Sequence, residues 1–236
     1  MGFVRLLVLL FLWKDRQDKP EISLPERVME GEQITVQCTA PGRCAATALK
    51  ITWGPGALFK FNESFNTDDP VGTKRYNSTL TFTASRKHHN KSLNCEAYFP
   101  AVNISNNVFL NVEYPPAAPE IFVKKIQDIP MPFPNGSSVR LLEGSKCTLR
   151  CTVDSNPLSH LTWMRGEHIL KESVISSKSL ELVRRHVTSS SDGAYHCEAV
   201  NKHGKETSLI TVSVDFFIVT DPPRTPQIKV EKVTTP

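Results

Sequence analysis

The sequence lacks any apolar run of about 20 residues, the length that a membrane-spanning helix needs. It is also short of glycine, with 11 Gly against 17 Pro in 236 residues. Its apolar residues make up 39% of the chain, below the roughly 45–50% (Gly included) of ordinary globular proteins. We therefore expect thin, solvated layers, in a chain that is either soluble or a piece of a longer membrane-anchored protein.

Neither sign of charge dominates, since 28 Lys and Arg stand against 24 Asp and Glu, for a net charge of +4. A nucleic-acid-binding domain usually concentrates basic residues on one stripe, whereas acidic residues are interspersed here. The basic run 86–89 is interpreted as a solvated loop. We predict no nucleic-acid partner.

Signatures of catalysis are missing too. There is no glycine-rich phosphate loop, no H-E-x-x-H motif and no histidine set at nucleophile–base spacing. The sequence therefore predicts no catalytic residue, no metal site and no cofactor, in a protein that is not an enzyme.

What the chain does contain is a repeat of about 100 residues. Three Pro-led strings recur at the start of successive units, at 20–24, 119–123 and 226–230, and such a period indicates an array of similar domains. We expect one domain over 18–114, a Pro-rich linker over 115–119 and a second domain over 120–216. Residues 217–236 would be a linker and the start of a truncated further domain or stalk.

The first 17 residues resemble a secretory signal peptide, because a positive charge at Arg5 precedes an apolar run from Leu6 to Trp13.

Within each unit apolar and polar residues alternate with period two, which is typical of strands with one buried face. In 33–38, for example, Ile34, Val36 and Cys38 would point inward. We predict short strands throughout, in an all-β chain.

Both units carry the order Cys, Trp, Cys, which is typical of an immunoglobulin β-sandwich. The pattern predicts disulfides Cys38–Cys95 and Cys151–Cys197, each joining facing sheets beside a core indole, Trp53 or Trp163. Tyr195, two residues before Cys197, matches the tyrosine corner of that fold. We predict two tandem sandwiches of C2-set or I-set type in an oxidising, extracellular compartment.

The second unit resembles an I-set or C2-set domain in 193–197 and in the turn 201–204, although Ser191 stands where an Asp is usual. The first unit resembles the second domain of the sialic-acid-binding immunoglobulin-like lectins (Siglecs), on the residues 38–44, 80–83 and 94–95. The resemblance covers about 20–215. It implies that Cys44 would bridge to a preceding V-set domain, which is missing here.

The resemblance also implies that sialic acid is bound by an arginine of that V-set domain, so no ligand-binding residue is assigned here. Cys44 should lie at the pole of the first sandwich that faces the preceding domain, whereas the second unit attaches at the opposite pole, so Cys44 and Cys147 should be too far apart to bond. We expect Cys44 to be unpaired in this chain and Cys147 to be a buried free thiol, not half of a zinc site.

Five N-glycosylation sequons mark expected surface positions: Asn62, Asn77, Asn90, Asn103 and Asn135. Four lie in the first unit, which favours a spacer role for that unit.

Two functions remain open, besides a truncated gene product without independent binding. One is a Siglec-like adhesion or receptor fragment at the cell surface, whose sialoside partner binds through a domain not present here. The other is an adhesion molecule that binds a protein, either an immunoglobulin domain or an integrin. Membrane anchoring would in either case need a segment outside this sequence.

Overall fold

A computed structural model describes residues 19–41, 50–54, 62–68, 75–99, 103–125 and 128–216. The chain divides between Pro115 and Pro116 into two compact units, called domain 1 and domain 2 below. The signal-like segment 1–17 and the segment 217–236 lie outside the described residues.

The described residues of domain 1 form nine strands: β1 Glu21–Ser23, β2 Val28–Met29, β3 Gln33–Pro41, β4 Lys50–Gly54, β5 Asn62–Asp68, β6 Arg75–Thr83, β7 Ser92–Tyr98, β8 Asn103–Phe109 and β9 Val112–Glu113. One sheet has the order β1-β3-β6-β5 and the facing sheet the order β4-β7-β8. The short β2 pairs in parallel with β9.

In domain 2, the part of the chain that the structure describes also forms nine strands: β10 Glu120–Lys125, β11 Met131–Phe133, β12 Ser138–Leu142, β13 Cys147–Thr152, β14 His160–Arg165, β15 His168–Glu172, β16 Ser179–Arg184, β17 Gly193–Asn201 and β18 Gly204–Asp215. They form a four-stranded sheet, β11-β10-β13-β16, and a five-stranded sheet, β12-β18-β17-β14-β15. As in domain 1, an early strand pairs in parallel with the last one, here β12 with β18.

The period-two patterning decides which face of each strand is buried. Along β3 the alternate residues Ile34, Val36 and Cys38 are buried, and along β6 so are Leu80 and Phe82. Domain 2 repeats this with a core of its own, which includes Leu149, Leu161, Leu180 and Ile210. Each sandwich therefore buries its apolar residues between two sheets, as alternation requires.

The predicted fold class is confirmed: the chain is all-β, with two tandem immunoglobulin-type sandwiches. Among the described residues, helical structure is limited to two short 3-10 turns, Arg86–His88 and Ser189–Ser191. None of the helices in the described ranges has the length and apolar character to cross a bilayer.

Candidate functional site

A disulfide lies at the centre of each sandwich. Cys38 on β3 is bonded to Cys95 on β7, with their Cα atoms 6.5 Å apart, and all four cysteines of the two bridges are fully buried. In domain 2 the bridge joins Cys151 on β13 to Cys197 on β17, with Cα atoms 6.4 Å apart. The structure thus pairs the four cysteines as the spacing predicts.

The two core indoles lie beside these bridges. Trp53 is in register with Cys95, and Trp163 with Cys197, each on the neighbouring strand. Each indole then reaches across the sandwich, because its N–H finds an acceptor on the facing sheet. The acceptor in domain 1 is the Ser78 hydroxyl at 3.0 Å.

In domain 2 the corresponding acceptor is the backbone carbonyl of Leu180, 3.1 Å from Nε1 of Trp163. Both acceptors lie on the strand next to the cysteine-bearing strand of that sheet, β6 or β16. No motif in the sequence marks either acceptor, because each is set by the packing of one sheet on the other.

Tyr195 forms the tyrosine corner of domain 2. It is buried, and its hydroxyl donates to the carbonyl of Ser191 at 2.9 Å. Two guanidinium groups lie near its ring, that of Arg165 at 5.9 Å and that of Arg184 at 5.6 Å from the centroid. These are cation–π contacts. The sequence pattern had marked Tyr195 at this corner but neither of the two arginines.

Arg165 contacts the backbone beside this corner, where Ser191 stands in place of the usual Asp. The guanidinium of Arg165 donates to the carbonyls of Ser190 and Asp192. The Asp192 carboxylate is turned elsewhere and accepts from the N–H of Val214 at 3.0 Å. The Arg165 guanidinium is therefore held by two backbone carbonyl oxygens.

Domain 1 has no tyrosine at the corresponding corner, where Leu93 stands two residues before Cys95. Leu93 is fully buried, and the hydrogen bonding moves to His88, whose Nδ1 accepts from the N–H of Ser85 at 3.1 Å. The His88 ring packs edge-on against Phe82, with centroids 5.3 Å apart. The interpretation of 86–89 as a solvated loop was therefore wrong for His88, which is buried.

Arg86, in the same run, is half-buried and paired with Glu30. That side chain donates twice to the Glu30 carboxylate, from Nε at 2.9 Å and from Nη2 at 2.8 Å, and its guanidinium lies 5.1 Å from the centroid of the Tyr114 ring. The hydrogen bond from Arg86 holds the pKa of Glu30 below its ordinary value, although burial of the carboxyl opposes this. The 3-10 turn is tied to the sandwich by this pair.

Cys147 is a buried free thiol, on the inward face of β13. Burial raises the pKa of this thiol above its ordinary value, and the positive charge of Arg184 offsets the rise only in part. A protonated, buried thiol behaves as a small apolar side chain. Cys44 lies outside the described residues.

Four of the five sequon asparagines have described side chains. Asn90, Asn103 and Asn135 are exposed, and Asn77 is half-buried on β6. The Oδ1 atom of Asn77 accepts from the Thr39 hydroxyl at 2.9 Å, and that of Asn135 accepts from the N–H of Leu209 at 2.9 Å. In both residues this hydrogen bond involves Oδ1, and not Nδ2, the amide nitrogen that would carry a glycan.

Asn62 begins β5, and its side chain is outside the described part of the chain.

Across the described residues, no group of three or more His, Cys, Asp or Glu side chains could hold a metal ion. A groove of about 390 Å³ in domain 2 is lined by Arg150, Lys178, Glu120 and their neighbours.

Comparison with protein families gives the two domains distinct types. Residues 19–102 match the CD80-like C2-set immunoglobulin domain, and residues 134–214 match the immunoglobulin I-set domain. The chain belongs to the immunoglobulin superfamily, with Siglec-like domains.

The Siglec likeness extends along both domains of this Siglec-like chain. It is 32% identical over 205 residues to myelin-associated glycoprotein of Mus musculus, a match that covers 86% of this chain and 30% of the relative. It is 30% identical over 202 residues to sialic acid-binding Ig-like lectin 10 of the same species, covering 83% of this chain and 28% of that protein. The chain thus spans less than a third of the length of these relatives.

A solved structure supports the fold. The ectodomain (Ig1–Ig3) of mouse nectin-like molecule 4 superposes with a TM-score of 0.64 over 90% of this chain and 66% of that one, at 23% sequence identity. Since the matched families are non-enzymatic domain families, the Siglec-like chain is not an enzyme.

Proposed function

We propose that the two domains are spacer domains of a Siglec-type adhesion receptor at the cell surface. The observation that carries this proposal is the similarity of about 30% along both domains to proteins named as sialic-acid-binding lectins and to myelin-associated glycoprotein. In this proposal they correspond to the second and third immunoglobulin domains of such a receptor. Sialosides would be bound by a V-set domain that precedes them.

The placement of the sequons supports the spacer role of domain 1. Asn77 lies on the four-stranded sheet, Asn103 on the three-stranded sheet, and Asn90 beside the 3-10 turn at one end. Glycans at these positions would cover both sheet faces. A broad protein interface, of about 800 Å² on each partner, would then have little bare surface on this domain.

The cross-sheet disulfides support a role outside the cell. Bridges of this kind form and persist in oxidising compartments, and each closes a long loop between β-sheets, over 57 residues in domain 1 and 46 in domain 2. We propose that the chain enters the secretory pathway through its N-terminal segment 1–17 and is glycosylated there.

Glycan occupancy is the first measurement. The chain is secreted from mammalian cells, and its intact mass is compared before and after removal of N-glycans with an amidase. Single Asn→Gln variants at positions 77, 90 and 103 should each lose the mass of one glycan. A secreted chain that carries no glycan in domain 1 would contradict the spacer proposal.

Ligand binding is the second measurement. A sialoglycan array is probed with the whole receptor that contains these domains and, separately, with this chain alone as a multivalent fusion. The proposal expects binding by the receptor that sialidase treatment of the array abolishes, and no binding by the chain alone. If the whole receptor ignores sialosides and binds a surface protein through domains 1 and 2, the chain is a protein-binding adhesion molecule instead.

A further inference from the structure

One sheet of domain 2 presents a basic outer face. Four of its exposed cations lie on or next to adjacent strands: Lys124 on β10, Lys146 directly before β13, Arg150 within β13, and Arg185 directly after β16. We name this outer surface of the sheet β11-β10-β13-β16 the basic face. None of the four forms a salt bridge with another described residue of the chain.

The strand register places these side chains close together. Lys124 is opposite Thr148, and Thr148 is opposite Val183 on the third strand. Arg150 lies two residues from Thr148 within β13 and shares its outward side of the pleat. Lys146 directly precedes β13 and Arg185 directly follows β16, two residues from Thr148 and from Val183 respectively. Diagonal neighbours in a sheet are about 7–8 Å apart, which is within the screening length of about 8 Å at physiological salt.

The four cations are therefore close enough to act as one cluster of positive charge. At the far end of the face, the groove lined by Arg150 and Lys178 continues the row. Acidic residues are fewer: Glu181 is directly opposite Arg150 and Glu120 is opposite Thr152, and Asp154 also lines the groove. The face therefore carries an excess of positive charge, which is greatest around Lys124, Lys146 and Arg185 and is reduced at Arg150.

Two further features describe what could lie on this face. Phe122 is half-buried next to Arg150, and Val183 is 43% exposed beside Thr148, so flat apolar surface is interleaved with the cations. Asn135, the one sequon asparagine of domain 2 in the sequence, precedes β12 and is bonded to β18 of the other sheet. A glycan there would leave the basic face open.

We propose that the basic face binds a sulfated polysaccharide, which goes beyond the spacer role. Sulfate groups spaced along an extended chain match cations spaced along a strand, and arginine binds such oxyanions through two parallel hydrogen bonds. The apolar patches contact the C–H surfaces of the sugar rings. Because the face is open and not a deep pocket, it recognises a polymer and not a single small anion.

The test is binding of the whole chain to immobilised heparin, with salt concentration as a variable. The double variant Lys124→Glu/Arg150→Glu should weaken binding about tenfold or more, since two attractions become repulsions. A matched control is Lys50→Glu/Lys87→Glu in domain 1, which makes the same change in net charge at two exposed lysines. The control should retain binding within about twofold.

Thermal melting of both variants checks that the fold is intact, and completely desulfated heparin checks the chemistry. Binding by the native chain that is lost in the basic-face variant, kept in the control and absent with desulfated heparin supports the proposal. Equal loss in both variants would show a response to net charge alone and would overturn it. So would equal binding to desulfated heparin, or no binding of the native chain even at low salt.

Discussion

Replacing Ser78 by Ala isolates one hydrogen bond in the core of domain 1. The Ser78 hydroxyl accepts from the Trp53 indole N–H at 3.0 Å, and both side chains are buried, 3% and 6% exposed. The substitution deletes a single oxygen atom and leaves the strand intact. It also leaves the sequon Asn77-Ser78-Thr79 functional, because its middle position accepts any residue except Pro.

The expected loss of stability follows from the burial of the donor. With no water able to reach it, the indole N–H is left without an acceptor, and an unsatisfied buried donor costs about 1–3 kcal/mol. For a domain of this size, 1 kcal/mol corresponds to about 4–8 °C in melting temperature. We expect the melting temperature of domain 1 to fall by about 10 °C.

The assay is differential scanning calorimetry of the whole chain, fitted with two transitions because the two domains have separate cores. The transition of domain 2 serves as an internal reference and should not move. Ser23→Ala, a change of the same atom on exposed β1, is the matched control and should leave both transitions within about 1 °C of the native chain.

A second background tests the physical reason. In a Trp53→Phe chain the indole donor is gone, so adding Ser78→Ala should cost about 0.5 kcal/mol or less. If Ser78→Ala destabilises domain 1 equally in both backgrounds, the hydrogen bond is not the source of the loss, and the reasoning fails.

Three other predictions concern titratable or polar groups. Tyr195→Phe removes the bond to the Ser191 carbonyl and should lower the stability of domain 2 by about 1 kcal/mol, measured as a shift of its calorimetric transition alone. Cys147 should react with a thiol reagent only after denaturation. Because its pKa is raised in the folded state, the stability of domain 2 should fall as the pH rises above the ordinary pKa of a thiol, and Cys147→Val should abolish that decline. The pKa of Glu30 is lowered in the folded state, so its pairing with Arg86 stabilises domain 1 at pH values above the ordinary carboxyl pKa. This stabilisation is lost as the pH falls. The Glu30→Gln variant should therefore show a smaller acid-induced drop in denaturant midpoint than the native chain.

The fold could be predicted because its signals are local. Alternation along β3 and β6 requires only neighbouring residues, and it fixes which side chains enter the core. The spacing of cysteine and tryptophan adds the long-range partners, since an indole beside a cross-sheet disulfide is specific to one sandwich type. The structure accordingly has Cys38 bonded to Cys95 and Cys151 bonded to Cys197.

The corner contacts could not be predicted in this way. Leu93 in place of a tyrosine indicated only that domain 1 departs from the usual pattern, and no motif pointed to His88 as the hydrogen-bonding group. Each domain has a 3-10 turn with a polar third residue, which is His88 in domain 1 and Ser191 in domain 2. A comparison of the two units could have found this repeat.

The sequence by itself determined the all-β class, the two sandwiches and the cysteine pairs, because side-chain periodicity and covalent chemistry are written along the chain. Only the tertiary structure decided the acceptor of each indole, the Arg165 contacts to backbone carbonyls and the alignment of Lys124 with Arg150 on one face. These contacts join strands far apart in sequence. Their partners depend on strand register and on the packing of one sheet against the other, which a linear pattern does not specify.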